Sequence, residues 1–329
     1  MQRFEARPLF VPDHEELRFL PEGPHVLRNF PGPQSLGWVA IQHGLSARTG
    51  SVNVLDLESG RNRSFPLPGR PGFFAETDVP GLLLVGLERQ LVLLDLLSGS
   101  LGAVLAELPQ DERVIINDGL AVPGGVFFGT KHLEFSQPVA ALYYFDSASR
   151  TLREVLGGQT CSNGKVLLHG DDGHTLVDID SSPRTISLHR LNAGWTAVAG
   201  TSLVVPPESL PAFPDGMRQA PDGESVVVAF YNPAPVADGL AQQIRLSDGK
   251  VLCEWIIPGA PRATCPEFVE QGGEVKLIFT TAVEGMPESQ RPLAPGSGCL
   301  YIADTPFSTM PAAPPLVANC AVVRTPKPL

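Results

Sequence analysis

The chain has 329 residues, a formal net charge of −11 and 43 % hydrophobic residues. The charge has the wrong sign for neutralising nucleic-acid phosphates or docking on an anionic lipid surface, and the apolar content is too high for a disordered chain. Gly and Pro number 33 each, about a fifth of the chain against a usual eighth, which excludes an all-helical bundle in favour of short elements joined by many turns.

Met1-Gln2-Arg3-Phe4-Glu5 lacks the apolar core of a secretory leader. The first structural signal is Pro21-Glu22-Gly23-Pro24, a turn that leads towards the strand-like Trp38-Val39-Ala40-Ile41. Val54-Leu55-Asp56-Leu57-Glu58-Ser59-Gly60 then gives a strand end, a polar residue and a turn. Phe73-Phe74-Ala75 precedes the run Leu82-Leu83-Leu84-Val85, and the turn pattern returns as Leu93-Leu94-Asp95-Leu96-Leu97-Ser98-Gly99. Residues 81–97 are too short and too charged for a membrane helix, being broken by Glu88, Arg89 and Asp95.

Asn117-Asp118-Gly119 precedes Val126-Phe127-Phe128-Gly129, followed by Tyr144-Phe145-Asp146-Ser147-Ala148-Ser149. Ser162-Asn163-Gly164 precedes Lys165-Val166-Leu167-Leu168, with a degenerate turn copy at Leu191-Asn192. Pro214-Asp215-Gly216 precedes Val226-Val227-Val228-Ala229, and Ile244-Arg245-Leu246-Ser247-Asp248-Gly249 repeats the turn. Thr264-Cys265-Pro266 precedes Leu277-Ile278-Phe279, and the last copy is Tyr301-Ile302-Ala303-Asp304.

Two interleaved periods emerge. The strand-end marker falls at residues 56, 95, 146, 191, 246 and 304, and the turn marker at Glu22, Phe74, Asn117, Asn163, Asp215 and Cys265. Six units of about 40 to 60 residues match four-stranded propeller blades. The expected fold is all-β, a six-bladed β-propeller over residues 1–305, followed by a Pro-rich tail over 306–329. Each blade sends its innermost strand to the central channel, so residues recurring once per blade form a ring there. Taken singly, Asn-Asp-Gly, Asn-Gly and Asp-Gly are ordinary turn dipeptides. Glu22, Asn117, Asn163 and Asp215 on one period, all acidic or amide, instead describe four oxygens converging on one point. Such a set is costly to bury unpaired, and a divalent cation resolves the cost. All-oxygen ligation favours Ca²⁺, with Mg²⁺, Mn²⁺ or Zn²⁺ as alternatives.

Other constellations carry little. The five cysteines, Cys161, Cys253, Cys265, Cys299 and Cys320, form no Cys-x-x-Cys and read as buried free thiols of a reducing, cytoplasmic compartment. Trp38, Trp195 and Trp255 read as packing residues. His169, His174 and His189 read as surface positions.

The ordered blocks resemble the senescence-marker-protein, gluconolactonase and luciferin-regenerating-enzyme family, to which regucalcin belongs. Glu22-Gly23-Pro24, Trp38 to Ile41, Asn117-Asp118-Gly119 with Phe127-Phe128-Gly129-Thr130, Asn163-Gly164, Pro214-Asp215-Gly216 and Cys265 with Phe279-Thr280-Thr281-Ala282 carry the likeness, which spans about residues 20 to 304. The resemblance implies a metal in the channel held by Glu22, Asn163 and Asp215. Asp215 would also be the general base, Asn117 would contact substrate or metal-bound water, and Glu134 would be a substrate-contacting acid. It implies a metal-dependent hydrolase of a small lactone, in which the cation polarises the carbonyl and acidifies a bound water. Phosphotriester hydrolysis, and a non-catalytic propeller that binds metal and a small ligand, are the rival expectations. The partner is a small molecule, with no nucleic acid or membrane, and the protein is a monomer or weak dimer. Some relatives carry Arg where this chain has Ile115, and others Met where it has Lys131; Lys131 and His132 read as a solvated loop.

Overall fold

The computed structural model describes residues 1–43, 48–109, 111–170 and 173–320. Two short strands come first, β1 (Gln2–Glu5) and β2 (Arg7–Phe10), then a single helical turn, α1 (Glu15–Arg18). The first blade follows: β3 (Leu20–Leu27), β4 (Ser35–His43), β5 (Arg48–Asp56) and β6 (Asn62–Leu67). Blade 2 is β7 (Pro71–Glu76), β8 (Leu82–Leu87), β9 (Gln90–Asp95) and β10 (Ser100–Glu107). Blade 3 is β11 (Val114–Val122), β12 (Gly125–His132), β13 (Ala140–Asp146) and β14 (Thr151–Gln159). Blade 4 is β15 (Ser162–Gly170), β16 (Gly173–Asp180), β17 (Thr185–Leu191) and β18 (Val198–Leu203). Blade 5 is β19 (Phe213–Gln219), β20 (Ser225–Tyr231), β21 (Gly239–Arg245) and β22 (Val251–Ile257). The sixth has β23 (Ala263–Gln271), β24 (Glu274–Thr281) and β25 (Leu300–Asp304), and it takes its fourth strand from the N-terminus.

That borrowed strand is β2, antiparallel to β25 with Arg7 opposite Ile302. β1 adds a parallel fifth strand to blade 5, Gln2 opposite Cys253. The ring closes where β23 meets β3. The molecule is therefore a six-bladed β-propeller.

The apolar runs are continuous rather than alternating because each blade is covered on both faces. Neighbouring side chains go to opposite gaps: Phe74 packs with Val39 and Val52 of blade 1, whereas Phe73 packs with Phe128 and Val126 of blade 3. Six apolar clusters fill the six gaps between adjacent blades, with Trp38 and Trp255 fully buried in two of them.

The strand-end marker is a physical device. Asp56, Asp95 and Asp146 close the third strands of blades 1 to 3, and each Oδ1 accepts backbone N–H groups two and three residues on. These Asx-type turns stop a strand by local chemistry alone. The hydrogen bonds from Ser59 hold the Asp56 carboxyl below its ordinary range.

Past Asp304 the chain runs back over the propeller. Phe307 and Met310 pack on the cluster between blades 5 and 6. Val317 makes a parallel bridge to Thr77, and its N–H donates to Glu76 O at 2.9 Å. All five cysteines are buried free thiols. No helix among the described residues is long and apolar enough to cross a membrane.

Candidate functional site

The turn-like tripeptides of the sequence lie inside the innermost strands. In blades 3 to 5 the first residue of each tripeptide's unpaired couple is the predicted ligand or contact. Residues 117 and 118 of β11 oppose one residue of β12, 163 and 164 of β15 oppose one of β16, and 215 and 216 of β19 oppose one of β20. In β3 the bulge follows Glu22, and in β23 it holds Cys265. A β-bulge re-aims a side chain out of the ladder, and in blades 3 to 5 it accompanies the turning of Asn117, Asn163 and Asp215 into the cavity. In blade 2 the irregularity is at Gly72, two residues before the Phe74 marker. A Cβ at Gly72 would sit 2.3 Å from the backbone oxygen of Asn117. Gly164 and Gly216 are held the same way, against Met217 N at 2.4 Å and Cys265 Sγ at 2.5 Å. Only glycine lets the inner strands approach this closely.

The result is a cavity of about 490 Å³ whose floor carries Glu22, Asn117, Asn163 and Asp215. The structure thus brings together the four residues that the period selects. The Asn163 amide donates to Ser181 Oγ at 3.0 Å, and that hydroxyl donates to Pro214 O at 2.7 Å, tying blade 4 to the residue before Asp215. Lys165, paired with Asp178 at 3.1 Å, donates to the backbone oxygen of Asn163. Asn117 Nδ2 donates to Ser162 O at 3.0 Å. Glu22 Oε2 accepts from Gly23 N at 3.1 Å. Thr264 Oγ1 donates to Pro21 O at 2.7 Å, which fixes β3 beside β23.

Burial is the main force on the two carboxyls. It pushes Glu22 up to about 8, aided by the charge of Asp118 and opposed by the Gly23 N–H and Lys131. Asp215 is also raised well above the carboxylate range, first by burial and then by Glu22. Burial pushes the Cys161 thiol beside them up to about 12, which leaves it protonated and a poor ligand. Among the described residues no three His, Cys, Asp or Glu side chains form a ligand cluster. The donors on the floor are two carboxylates and two amides, oxygen chemistry that fits a hard divalent cation and relieves the mutual repulsion of Glu22 and Asp215.

Other predicted positions fall elsewhere. Glu134 is exposed in the turn after β12 and lies outside the cavity wall. Lys131 and His132 are not a solvated loop: they end β12, and they are 6 % and 0 % exposed. Lys131 lines the cavity, with its Nζ 5.7 Å from the Phe135 ring centre. The carboxylates of the floor explain how an ammonium can be buried there. Ile115 pairs directly with Lys131 across β11 and β12. His189 is buried too, against Thr201 Oγ1 at 2.9 Å and beside Asp178, whereas His169 is exposed and His174 partly so. Tyr231, Glu284 and Cys161 also line the cavity and carry no local sequence signal.

At the other end of the inner strands, Glu267 accepts from Arg218 Nε at 3.2 Å and pairs with His25 Nδ1 at 2.9 Å. Burial raises the Glu267 carboxyl, but the Arg218 and His25 charges outweigh it and hold the group below its ordinary range. The tail residues Met310 to Pro315 line this second mouth with Arg218 and Glu267.

Comparison with known proteins agrees with this architecture. The chain is 28 % identical over 252 residues to L-arabinolactonase of Azospirillum brasilense, covering 76 % of this chain and 79 % of that one. The solved structure of a calcium-binding protein, regucalcin, from Agrobacterium tumefaciens superposes with a TM-score of 0.75 at 19 % identity, over 95 % of this chain and all of that one. A gluconolactonase from Xanthomonas campestris gives 0.61 at 17 % identity, over 92 % and 90 %. These two likenesses bear on the fold. The sequence description of the SMP-30/Gluconolactonase/LRE-like region matches residues 20–283, and on that match the chain belongs to the SMP-30/gluconolactonase/LRE-like family.

Proposed function

We propose that this protein is a divalent-cation-dependent hydrolase of a small lactone. One observation carries the reading: Glu22, Asn117, Asn163 and Asp215, which come from four different blades, share the floor of one cavity. The lactonase relative, aligned over 252 residues, supports the reaction class. Glu22, Asn163 and Asp215 would hold the cation, Ca²⁺ before Mg²⁺, Mn²⁺ or Zn²⁺. When bound, the cation supplies electrophilic polarisation of the ester carbonyl and acidifies water.

The chain's own groups supply the rest. Asp215, whose burial raises its basicity, accepts the proton of the attacking water at a carboxylate oxygen. Asn117, fixed through Ser162 O, orients the substrate. Lys131 adds positive charge beside the developing alkoxide and carboxylate products. The test is turnover of a lactone panel by purified protein with EDTA and with metal add-back, alongside Asp215→Asn. Activity should vanish with EDTA, return with the cation and be lost in the variant while the cation still binds. Full turnover in metal-free protein overturns the cation dependence, and no turnover of any lactone overturns the reaction class.

A further inference from the structure

The wall above the carboxylate floor has a composition of its own. Leu20 and Ile41 are directly opposed across β3 and β4, and both line the cavity. On blade 5, Phe213 is directly opposed to Tyr231 across β19 and β20, and both line it too, with Pro233 next to them. Phe135, from the turn after β12 on blade 3, also lines it. Apolar groups therefore face the cavity from three blades. Phe135 and Phe213 are 45 % and 37 % exposed, although they border a space that can hold a ligand.

Phe135 also has φ at +52°, a left-handed conformation that is unfavourable for a bulky side chain. Its ring lies with its centre 5.7 Å from the Lys131 ammonium. Of the polar side chains on the wall, which include Lys131, Ser182 and Glu284, two are already committed to the protein. Ser181 Oγ already accepts from Asn163 and donates to Pro214 O, and Tyr231 Oη donates to the backbone oxygen of Glu284. Hydroxyls of a sugar ring placed against the Leu20–Ile41 and Phe213–Tyr231 sides would be buried against carbon, each at the cost of lost water hydrogen bonds.

We infer that the site accepts lactones that carry an apolar substituent, seated between the Leu20–Ile41 pair, the Phe213–Tyr231 pair and Phe135, in preference to sugar lactones. The inference rests on the lactonase reading and deepens it to a substrate class. The ester carbonyl reaches the Glu22, Asn117, Asn163 and Asp215 floor, and the substituent lies along the apolar wall towards the mouth. Hydrolysis adds one water across the acyl C–O bond: the carboxyl takes the hydroxyl and the ring oxygen takes the proton, with no other reactant.

The experiment uses two series on the full chain with calcium. Five-membered lactones with alkyl chains of rising length are compared for kcat/KM with aldonolactones of the same ring size. The matching 5-alkyl-2-pyrrolidinones, which are not turned over, are titrated by calorimetry. Lactone kcat/KM and lactam affinity should each rise by about fourfold per added methylene until the wall is covered, and alkyl lactones should exceed the aldonolactones by more than tenfold. Phe213→Ser should flatten both slopes, and Phe213→Leu should restore them. Aldonolactone turnover with a flat lactam series overturns this inference and leaves the lactonase reading standing. A rising lactam series without turnover of any lactone supports the apolar site and overturns the lactonase reading.

Discussion

Replacing Asp215 with asparagine separates what the buried carboxylates do for the fold from what they do for chemistry. Moving the Glu22 carboxyl from 4.5 to about 8 corresponds to about 5 kcal/mol against ionisation. Burial is the largest part of that and is untouched by the substitution. Asp215 feels burial first and the Glu22 charge second. Asparagine removes one buried charge and the repulsion with it, a gain of about 2 kcal/mol in metal-free protein. For a chain of this length that raises Tm by roughly 3 °C.

The sign with pH follows from the direction of the shifts. A carboxyl raised in the folded state binds protons that the unfolded chain has released. It destabilises the fold above its folded pKa and not below its unfolded one. The gain should therefore be small at about pH 3.8 and grow as pH rises towards 8.5. Scanning calorimetry in EDTA at both values measures it. With saturating calcium the order should reverse, because the wild-type chain gains about 4 kcal/mol at a thousandfold excess over Kd and the variant gains less. An Asp215→Asn protein that melts below the wild type in EDTA at pH 8.5 would refute the like-charge account of the floor.

Three further outcomes test other parts of the structure. Lys131→Met removes an ammonium from beside the carboxylates, so Ca²⁺ affinity by calorimetry should rise about tenfold while Tm in EDTA falls. A weaker metal site would show that the ammonium does not face the floor. Gly164→Ala puts a Cβ 2.4 Å from Met217 N, a backbone atom that cannot step aside; it should cost about 3 kcal/mol, or roughly 4 °C in Tm. Glu267→Gln leaves Arg218 and His25 without their shared carboxylate, for a loss of about 3 kcal/mol at pH 7. Because Glu267 is held low in the fold, that loss should shrink as pH falls below about 4, where the wild type loses the same stabilisation; a pH-independent difference between the two melting curves counts against the ion-pair explanation.

The blade repeat is legible because its marker is local. Asp56, Asp95 and Asp146 end strands by bonding their own next residues, and no distant partner is needed. The ring of Glu22, Asn117, Asn163 and Asp215 is legible from its period. Its geometry is not, since Asn-Asp-Gly serves a hairpin turn and a bulged inner strand equally well. Lys131 reads as solvated because the groups that make its burial tolerable, Glu22 and Asp215, are more than eighty residues away in either direction. The strands β1 and β2 escape notice for a similar reason. They are mostly exposed, they carry no apolar alternation, and their partners lie in the last two blades.

Those two strands set an order of events for the whole polypeptide. Residues 2 to 10 are synthesised well before their hydrogen-bonding partners around Cys253 and Ile302, which follow about 250 to 300 residues later. Until then blade 6 lacks an outer strand, and the ring has an open seam between β23 and β3. Folding must wait for this long-range clasp, which makes it slow. Once the clasp is fastened, blades 5 and 6 are both tied to the start of the chain, so the finished toroid should outlast its modest thermodynamic margin through slow unfolding.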